Sequence, residues 1–174
     1  MAEPILSPPD GSIPSSNTPS FELVFRPSVH LITIVRRFIS EFFTCVVADP
    51  DVASRLALAT HELLENAAKY ATGGETYLYV DVDRATGGVT VRTRNRTNAE
   101  RIAVLEGRFE ALTSTKDPVA LYNMMLRRTA LEAEGSGLGL ARIRSEGEMM
   151  LDLSVTDDLV EIRARGFVTT AVQS

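Results

Sequence analysis

The segment that most restricts the possible folds of this chain is EGSGLGLARIRSEG, residues 134–147, where alternating glycines run directly into a helix-like pattern. Gly135, Gly137 and Gly139 let backbone N–H groups approach an anion closely, and a helix N-terminus favours negative charge. Alternatively, Gly135 ends a preceding helix and the rest is linker. The segment is not a strand-first phosphate loop, because a helical pattern precedes it and no Gly-Lys-Ser/Thr ending follows. The glycines alone leave both interpretations open.

A second feature is the helix predicted over VASRLALATHELLENAAKYA, which carries polar residues along the edge of its apolar face. At about 100° per residue, Glu62, Asn66 and Lys69 share one stripe. His61 and Glu65 are predicted to point away from that stripe, towards solvent. The neighbouring apolar stripe consists of Leu56, Ala59, Leu63, Ala67 and Tyr70.

The three polar residues are suited to nucleotide chemistry. The Glu62 carboxylate can accept a proton from an attacking hydroxyl group or orient it. The Asn66 amide oxygen is a hard ligand of the kind that Mg²⁺ accepts alongside phosphates and water. The Lys69 amine supplies a positive charge for phosphate oxygens. Taken alone, the same residues also fit an ordinary solvated helix flank with a Glu62–Asn66 hydrogen bond.

The remaining chain alternates clusters of predicted helices with antiparallel hairpins. The strand SFELVF precedes an amphipathic helix capped at Ser28, and Asp49 caps the helix that carries Glu62 and ends at Gly73-Gly74. One hairpin turns at ATGG and a closing hairpin turns at the two aspartates of TDDL. Further helices are predicted over residues 98–112, 117–133 and 138–145. This order predicts an α+β fold, a two-layer sandwich with helices covering one face of a mixed or antiparallel sheet.

The length of 174 residues is sufficient for one domain with its own core, predicted over residues 21–167. Residues 1–20 are rich in proline and serine and contain no aromatic residue, so this N-terminal tail is predicted to be disordered. Residues 168–174 are predicted to form a short C-terminal tail.

Composition excludes several classes of protein. The net charge of −5 argues against nucleic-acid binding, which depends on clustered positive charge. The single cysteine, Cys45, excludes an intrachain disulfide and is expected to fill the core. Because the chain shows neither a secretory signal pattern nor a long uncharged apolar run, we expect a cytoplasmic protein without a membrane span.

The two motifs together resemble one family. HELLENAAKYA is similar to the N-box of the Bergerat-fold ATPases (the group of gyrase, Hsp90, histidine kinases and MutL), and GSGLGLARI is similar to their second glycine box. Their order and their separation of roughly seventy residues also match. The small size resembles the stand-alone anti-sigma-factor serine kinases of bacterial partner-switching systems. The resemblance covers residues 21–166 and implies the histidine-kinase-like ATPase fold, with ATP and Mg²⁺ as cofactors.

The resemblance assigns roles to individual positions. Glu62 matches the glutamate that serves as general base, Asn66 matches the asparagine that ligates Mg²⁺, and Lys69 lies where a basic residue often approaches the phosphates. The glycine box whose backbone meets the phosphates consists of Gly135, Gly137, Leu138 and Gly139. Residues 113–134 would form a mobile lid, from which Arg127 and Arg128 can approach phosphate or remain solvated.

The chain departs from the family at the first glycine box, Asp-x-Gly-x-Gly. Asn95, Thr97 and Ala99 stand at these positions, so the aspartate that accepts the adenine amino proton is replaced by an amide. The Asn95 carbonyl oxygen can still accept that proton, or the amide can flip and favour another base. Thr97 and Ala99 add Cβ atoms where the family has only hydrogen.

The resemblance therefore implies two functions. The first is a Mg-ATP-dependent serine/threonine kinase that phosphorylates an antagonist protein or binds a sigma-like partner, and that can form a homodimer as related kinases do. The alternative is a degenerate, non-catalytic module of the same fold that acts by protein binding alone. A sensor histidine kinase fragment is disfavoured, because His30 and His61 do not lie on a separate dimerising helix.

Overall fold

The fold is seen in a computed structural model that describes residues 18–26, 28–129 and 137–168. Its elements, in chain order, are β1 (Ser20–Phe25), α1 (Val29–Val46), α2 (Pro50–Tyr70), β2 (Thr76–Val82), β3 (Gly88–Arg96), α3 (Ala99–Ser114), α4 (Pro118–Thr129), α5 (Leu138–Ser145), β4 (Met150–Thr156) and β5 (Leu159–Phe167). The predicted tails fall largely on residues 1–17 and 169–174, which lie outside the described residues.

The five strands form one sheet in the order β1-β2-β3-β5-β4, and every neighbouring pair is antiparallel. Strands β2, β3 and β5 alternate buried and half-buried residues, as expected when only one face is covered. The buried residues pack beneath the helices in one continuous hydrophobic core. The predicted two-layer α+β fold is confirmed, with an antiparallel sheet.

The caps predicted from the sequence begin α1 and α2. The Ser28 hydroxyl accepts a hydrogen bond from the backbone N–H of Leu31, and the Asp49 carboxylate accepts from the N–H groups of Asp51 and Val52. Each bond satisfies a backbone donor that the first helical turn leaves without a partner. These two local motifs fix where both helices start.

Helix α2 ends at Tyr70, earlier than the predicted Gly73-Gly74 signal. The backbone N–H of Thr72 donates to the carbonyl of Arg96, at the end of β3. A contact with a strand that lies far along the sequence therefore ends the helix before the glycines do. This short connection holds the C-terminus of α2 beside the end of β3.

One smaller prediction needs correction. Cys45 is exposed, not a core residue. It lies two positions after the fully buried Phe43 on α1, and two residues turn a helix by about 200°. Helix α4 is helical over Pro118–Thr129, as predicted, and predicted helical residues 130–133 lie outside the described residues.

The opposite face of the sheet carries polar and aromatic residues. The Arg92 guanidinium lies 4.3 Å from the ring centroid of Tyr79, and Arg94 donates to the Glu161 carboxylate at 2.7 Å. Although burial alone would raise the pKa of Glu161, hydrogen bonds from Arg94 and Arg163 and the charges of Arg94 and Arg92 hold it below its ordinary value. Cross-strand pairs of this kind stabilise the half-buried face.

Candidate functional site

The predicted polar stripe of α2 meets the glycine segment at the start of α5. A Cβ atom built at Gly139 would lie 2.6 Å from Glu62 Oε2 and 3.4 Å from Asn66 Nδ2. With glycine at position 139, the Glu62 carboxylate and the Asn66 amide can lie directly against the backbone of α5. The structure therefore brings Glu62, Asn66 and Gly139 together, as the sequence predicted.

Glu62 has a partner that the sequence did not reveal. The Nη1 atom of Arg142 lies 3.1 Å from Glu62 Oε1, and the Nε atom of the same guanidinium lies 2.8 Å from Glu146 Oε2. The hydrogen bond with Glu146 and the two neighbouring carboxylates raise the pKa of Arg142. The resulting chain of charges links α2 to α5 and fixes the direction of the Glu62 carboxylate.

Asn66 is the polar residue at this junction with an unused donor. Its Nδ2 atom is buried and has no hydrogen-bond partner among the described residues. Leaving a buried donor unpaired costs free energy, so this atom is available to bond with water or a ligand. The Asn66 side chain also faces a cavity that opens beside it.

That cavity has a volume of about 520 Å³, within the range of about 300–1,000 Å³ that is usual for small-molecule sites. Elements α2, β3, α3 and β5 form its walls. The lining residues are Asn66, Ala67, Lys69, Tyr70, Asn95, Thr97, Asn98, Glu100, Arg101, Val104, Leu105, Arg108, Val160 and Ile162. Three of the predicted site residues, Asn66, Lys69 and Asn95, therefore share one cavity, and Glu62 lies one helical turn beyond it on α2.

Thr97, which stands where the first glycine box would have a glycine, lines the cavity and is held by two hydrogen bonds. Its hydroxyl donates to the carbonyl oxygen of Tyr70 at 2.7 Å, which satisfies a carbonyl at the C-terminus of α2. Its backbone N–H donates to the carbonyl of Asp158. Asn95 is 6% exposed, and its Nδ2 atom donates to the carbonyl of Arg96, which leaves the amide oxygen available as an acceptor.

Positive charge is concentrated at the cavity mouth. The Nζ atom of Lys69 lies 5.5 Å from the Tyr70 ring centroid, and Arg108 Nη1 lies 3.4 Å from the Tyr70 hydroxyl. Arg101 donates to the Tyr70 carbonyl at 3.1 Å. The lining thus holds three cationic side chains against one carboxylate, Glu100, although the whole chain carries a net charge of −5.

The sequence motifs did not indicate that α3 forms one wall of the cavity. Asn98 caps this helix by accepting from the N–H of Arg101. Arg101, Val104, Leu105 and Arg108 then follow at helical spacing and all line the cavity. The available signal was a pair of arginines seven positions apart, with the apolar Val104 and Leu105 on the same side of the helix.

Several predicted residues stand elsewhere or remain undescribed. Gly135 lies outside the described residues, whereas Gly137 immediately precedes α5 with φ of 66° and Leu138 begins the helix. Arg127 and Arg128 are exposed at the C-terminal end of α4 and do not line the cavity. The lid predicted over residues 113–134 contains α4, and its last residues lie outside the described part of the chain.

The expectation that His61 faces solvent is wrong. Its side chain is 15% exposed, and it lies beside the α1 residues Ser40 and Thr44. Burial, followed by the charge of Arg36, lowers the pKa of His61. The helix wheel placed it correctly away from Glu62, but that side of α2 is covered by α1.

A divalent metal would depend on its substrate for most of its ligands. Within the described residues, no cluster of three or more His, Cys, Asp or Glu side chains is suited to hold a metal ion. One amide oxygen beside a helix N-terminus still fits Mg²⁺, which is commonly held by one or two protein groups with phosphates and water. The residues present are compatible with a metal that arrives with a polyphosphate.

Comparisons with known proteins support the fold. No family model matches the chain, and no curated protein matches it. A solved structure described as the SiaB–SiaC complex from Pseudomonas aeruginosa contains a similar chain, with a TM-score of 0.63 and 19% sequence identity. The match covers 85% of this chain and 89% of that one, so the whole architecture is shared. None of the helices in the described part of the chain combines the length and apolar composition that crossing a bilayer requires.

Proposed function

We propose that this protein is a regulatory ATP-binding serine/threonine kinase that acts on a protein partner in a partner-switching system. The observation that carries the proposal is the junction of Glu62, Asn66 and Gly139 beside a cationic cavity of about 520 Å³. A fold neighbour that comes from a two-protein complex supports a role exercised through a protein partner. An antagonist-like or sigma-like protein is the class of partner that the family resemblance implies.

In this proposal the nucleotide occupies the cavity between α2, α3 and the sheet. The apolar inner wall formed by Leu105, Val160 and Ile162 accepts a planar base, and the Asn95 amide oxygen lies there to accept from an exocyclic amino group. The phosphates lie towards the N-terminus of α5, where backbone N–H groups and the helix dipole favour negative charge. Asn66 supplies the amide ligand for Mg²⁺.

Bound ATP supplies the phosphoryl group, and the chain supplies positioning and charge. Glu62 accepts the proton of the partner's hydroxyl group as the new O–P bond forms, and ADP leaves as the old bond breaks. Arg142 orients the Glu62 carboxylate through Oε1 and leaves lone pairs for the incoming hydroxyl. Positioning of this kind provides most of the rate enhancement in phosphoryl transfer.

Calorimetric titration with Mg-ATP, Mg-ADP and Mg-GTP tests nucleotide binding, and transfer of labelled phosphate to a candidate partner tests turnover. We expect Asn66→Ala to weaken Mg-dependent ATP binding by about tenfold or more, since it removes a ligand of the metal–phosphate complex. We expect Glu62→Gln to keep ATP binding and lose transfer. Glu65→Gln is the matched control, because Glu65 is exposed on the same helix and pairs with Arg36.

Absence of binding at millimolar nucleotide would refute the proposed function. If ATP binds and Glu62→Gln transfers phosphate as fast as the unmodified protein, the assignment of the base is wrong. Equal losses in Glu62→Gln and Glu65→Gln would indicate a general effect of charge removal instead.

A non-catalytic binding module is the second candidate function, and the replaced first glycine box favours it. Thr97 and Asn95 are both nearly buried, with structural hydrogen bonds to the ends of α2 and β3. In this case, partner capture by the intact protein is unchanged in Glu62→Ala and Asn66→Ala and does not depend on added ATP. Loss of partner capture in either variant would contradict it.

A further inference from the structure

The contact between Arg108 and Gly137 places a guanidinium beside the start of α5. A Cβ atom built at Gly137 would lie 3.1 Å from Arg108 Cδ and 3.5 Å from its Nε. Gly137 also has a φ of 66°, a conformation that residues with a side chain rarely adopt. Glycine at this position therefore lets α3 pack its arginine directly against the backbone that opens the helix.

The three cations at the cavity mouth have different surroundings. Arg101 donates to the Tyr70 carbonyl, where a positive charge at the C-terminus of α2 is stabilising whether or not a ligand binds. Lys69 is exposed beside the Tyr70 ring. Arg108 instead reaches the Tyr70 hydroxyl and lines the cavity next to Gly137. Of the three, Arg108 is the one that a bound anion at the α5 N-terminus would contact.

Asn66 and Arg108 lie on the two sides of the α5 N-terminus. The unpartnered Asn66 Nδ2 atom is next to Gly139, and the Arg108 side chain is next to Gly137. Together with the backbone N–H groups between them, they form a cradle whose donors are an amide and a guanidinium. A guanidinium offers several donors in a planar fork, which suits phosphate oxygens.

We propose that Arg108 binds the polyphosphate of the nucleotide, a role that the family resemblance implied for Lys69 and left open for Arg127 and Arg128. This inference rests on the proposed function. It assigns recognition of the phosphate end of the nucleotide to α3. It follows that affinity increases with the number of phosphates, and that inorganic tripolyphosphate occupies part of the same site.

The test is calorimetric titration of the full chain with ATP, ADP, AMP and inorganic tripolyphosphate, each with Mg²⁺. We expect Arg108→Gln to weaken ATP and tripolyphosphate binding by about 10- to 100-fold, as for other charge-assisted hydrogen bonds, and AMP binding by less than about threefold. Arg108→Lys keeps the charge without the fork and is expected to be intermediate. Arg84→Gln is the matched control, because it removes an equal charge from the exposed β2–β3 turn.

Thermal unfolding without ligand shows whether each variant is folded. If Arg108→Gln is unfolded, the binding comparison is made with Arg108→Lys instead. The inference is overturned if the unmodified protein binds ATP and both Arg108 variants bind it equally well, a result that leaves the proposed function standing. It is also overturned if ATP and AMP affinities fall by the same factor. If the protein binds tripolyphosphate but not ATP, the proposed nucleotide function is refuted, and Arg108 remains an anion-binding residue only if Arg108→Gln weakens that binding.

Discussion

Two glycine-to-alanine substitutions test whether the atoms next to the new methyl group determine how much the substitution destabilises the fold. At Gly139 the added Cβ would lie 2.6 Å from Glu62 Oε2, the far end of a flexible side chain. At Gly147 it would lie 2.5 Å from the backbone oxygen of Ile143 and 3.1 Å from the Cβ of Ala59. The clashes are equally close, but only the Glu62 carboxylate can move away without shifting the backbone.

The expected magnitudes follow from these neighbours. Gly147→Ala overpacks fixed atoms and should cost about 1–3 kcal/mol of unfolding free energy, which lowers the Tm of a chain of this size by about 2–12 °C. Gly139→Ala displaces Glu62 from Arg142, but Arg142 is 38% exposed, so the lost pair contributes little. Alanine also stabilises a helix by up to about 1 kcal/mol relative to glycine, so the net change should lie within about 1 kcal/mol of zero.

Thermal and urea unfolding without nucleotide measure both variants, and Mg-ATP titration then measures the functional cost of moving Glu62. We expect Gly139→Ala to keep its stability and lose nucleotide affinity or phosphate transfer. If Gly139→Ala is destabilised as much as Gly147→Ala, or if Gly147→Ala is as stable as the unmodified protein, the reasoning from neighbour flexibility is wrong.

Three further predictions concern stability. Asp49→Ala removes the cap of α2 and should cost about 1 kcal/mol in urea unfolding, whereas an equal loss in Asp49→Asn would contradict a capping role. Thr97→Val removes the hydroxyl that satisfies the Tyr70 carbonyl and should cost about 1 kcal/mol, with Thr97→Ser retaining most of the stability. The lowered pKa of His61 means that stability is full above the unfolded pKa of about 6.5 and falls as pH drops through the folded value. His61→Gln should abolish that slope in unfolding measurements between pH 7 and pH 5, and an NMR titration giving His61 a pKa at or above 6.5 would refute it.

The sequence by itself determined the features that depend on local periodicity. Helical spacing placed Glu62 and Asn66 on one face of α2, and side-chain caps fixed the starts of α1 and α2 at Ser28 and Asp49. Strand alternation and turn residues predicted the hairpins, and the clustering of helices and hairpins predicted the two-layer fold. Each of these depends on interactions between residues a few positions apart, which the order of residues displays directly.

Only the tertiary structure decided which elements meet. Arg142 pairs with Glu62 across 80 positions of the chain, and Arg108 reaches Gly137 from a helix whose role the motifs did not reveal. The burial of His61 depends on α1 lying over that side of α2. The hydrogen bond from Thr97 to the Tyr70 carbonyl depends on β3 ending beside the C-terminus of α2. Helix periodicity gives the direction of a side chain around its own axis, but packing between distant segments determines what lies in that direction. That is why the positions of the Glu62 carboxylate and the Asn66 amide on α2 were predictable, while their charged neighbours Arg142 and Arg108 were not.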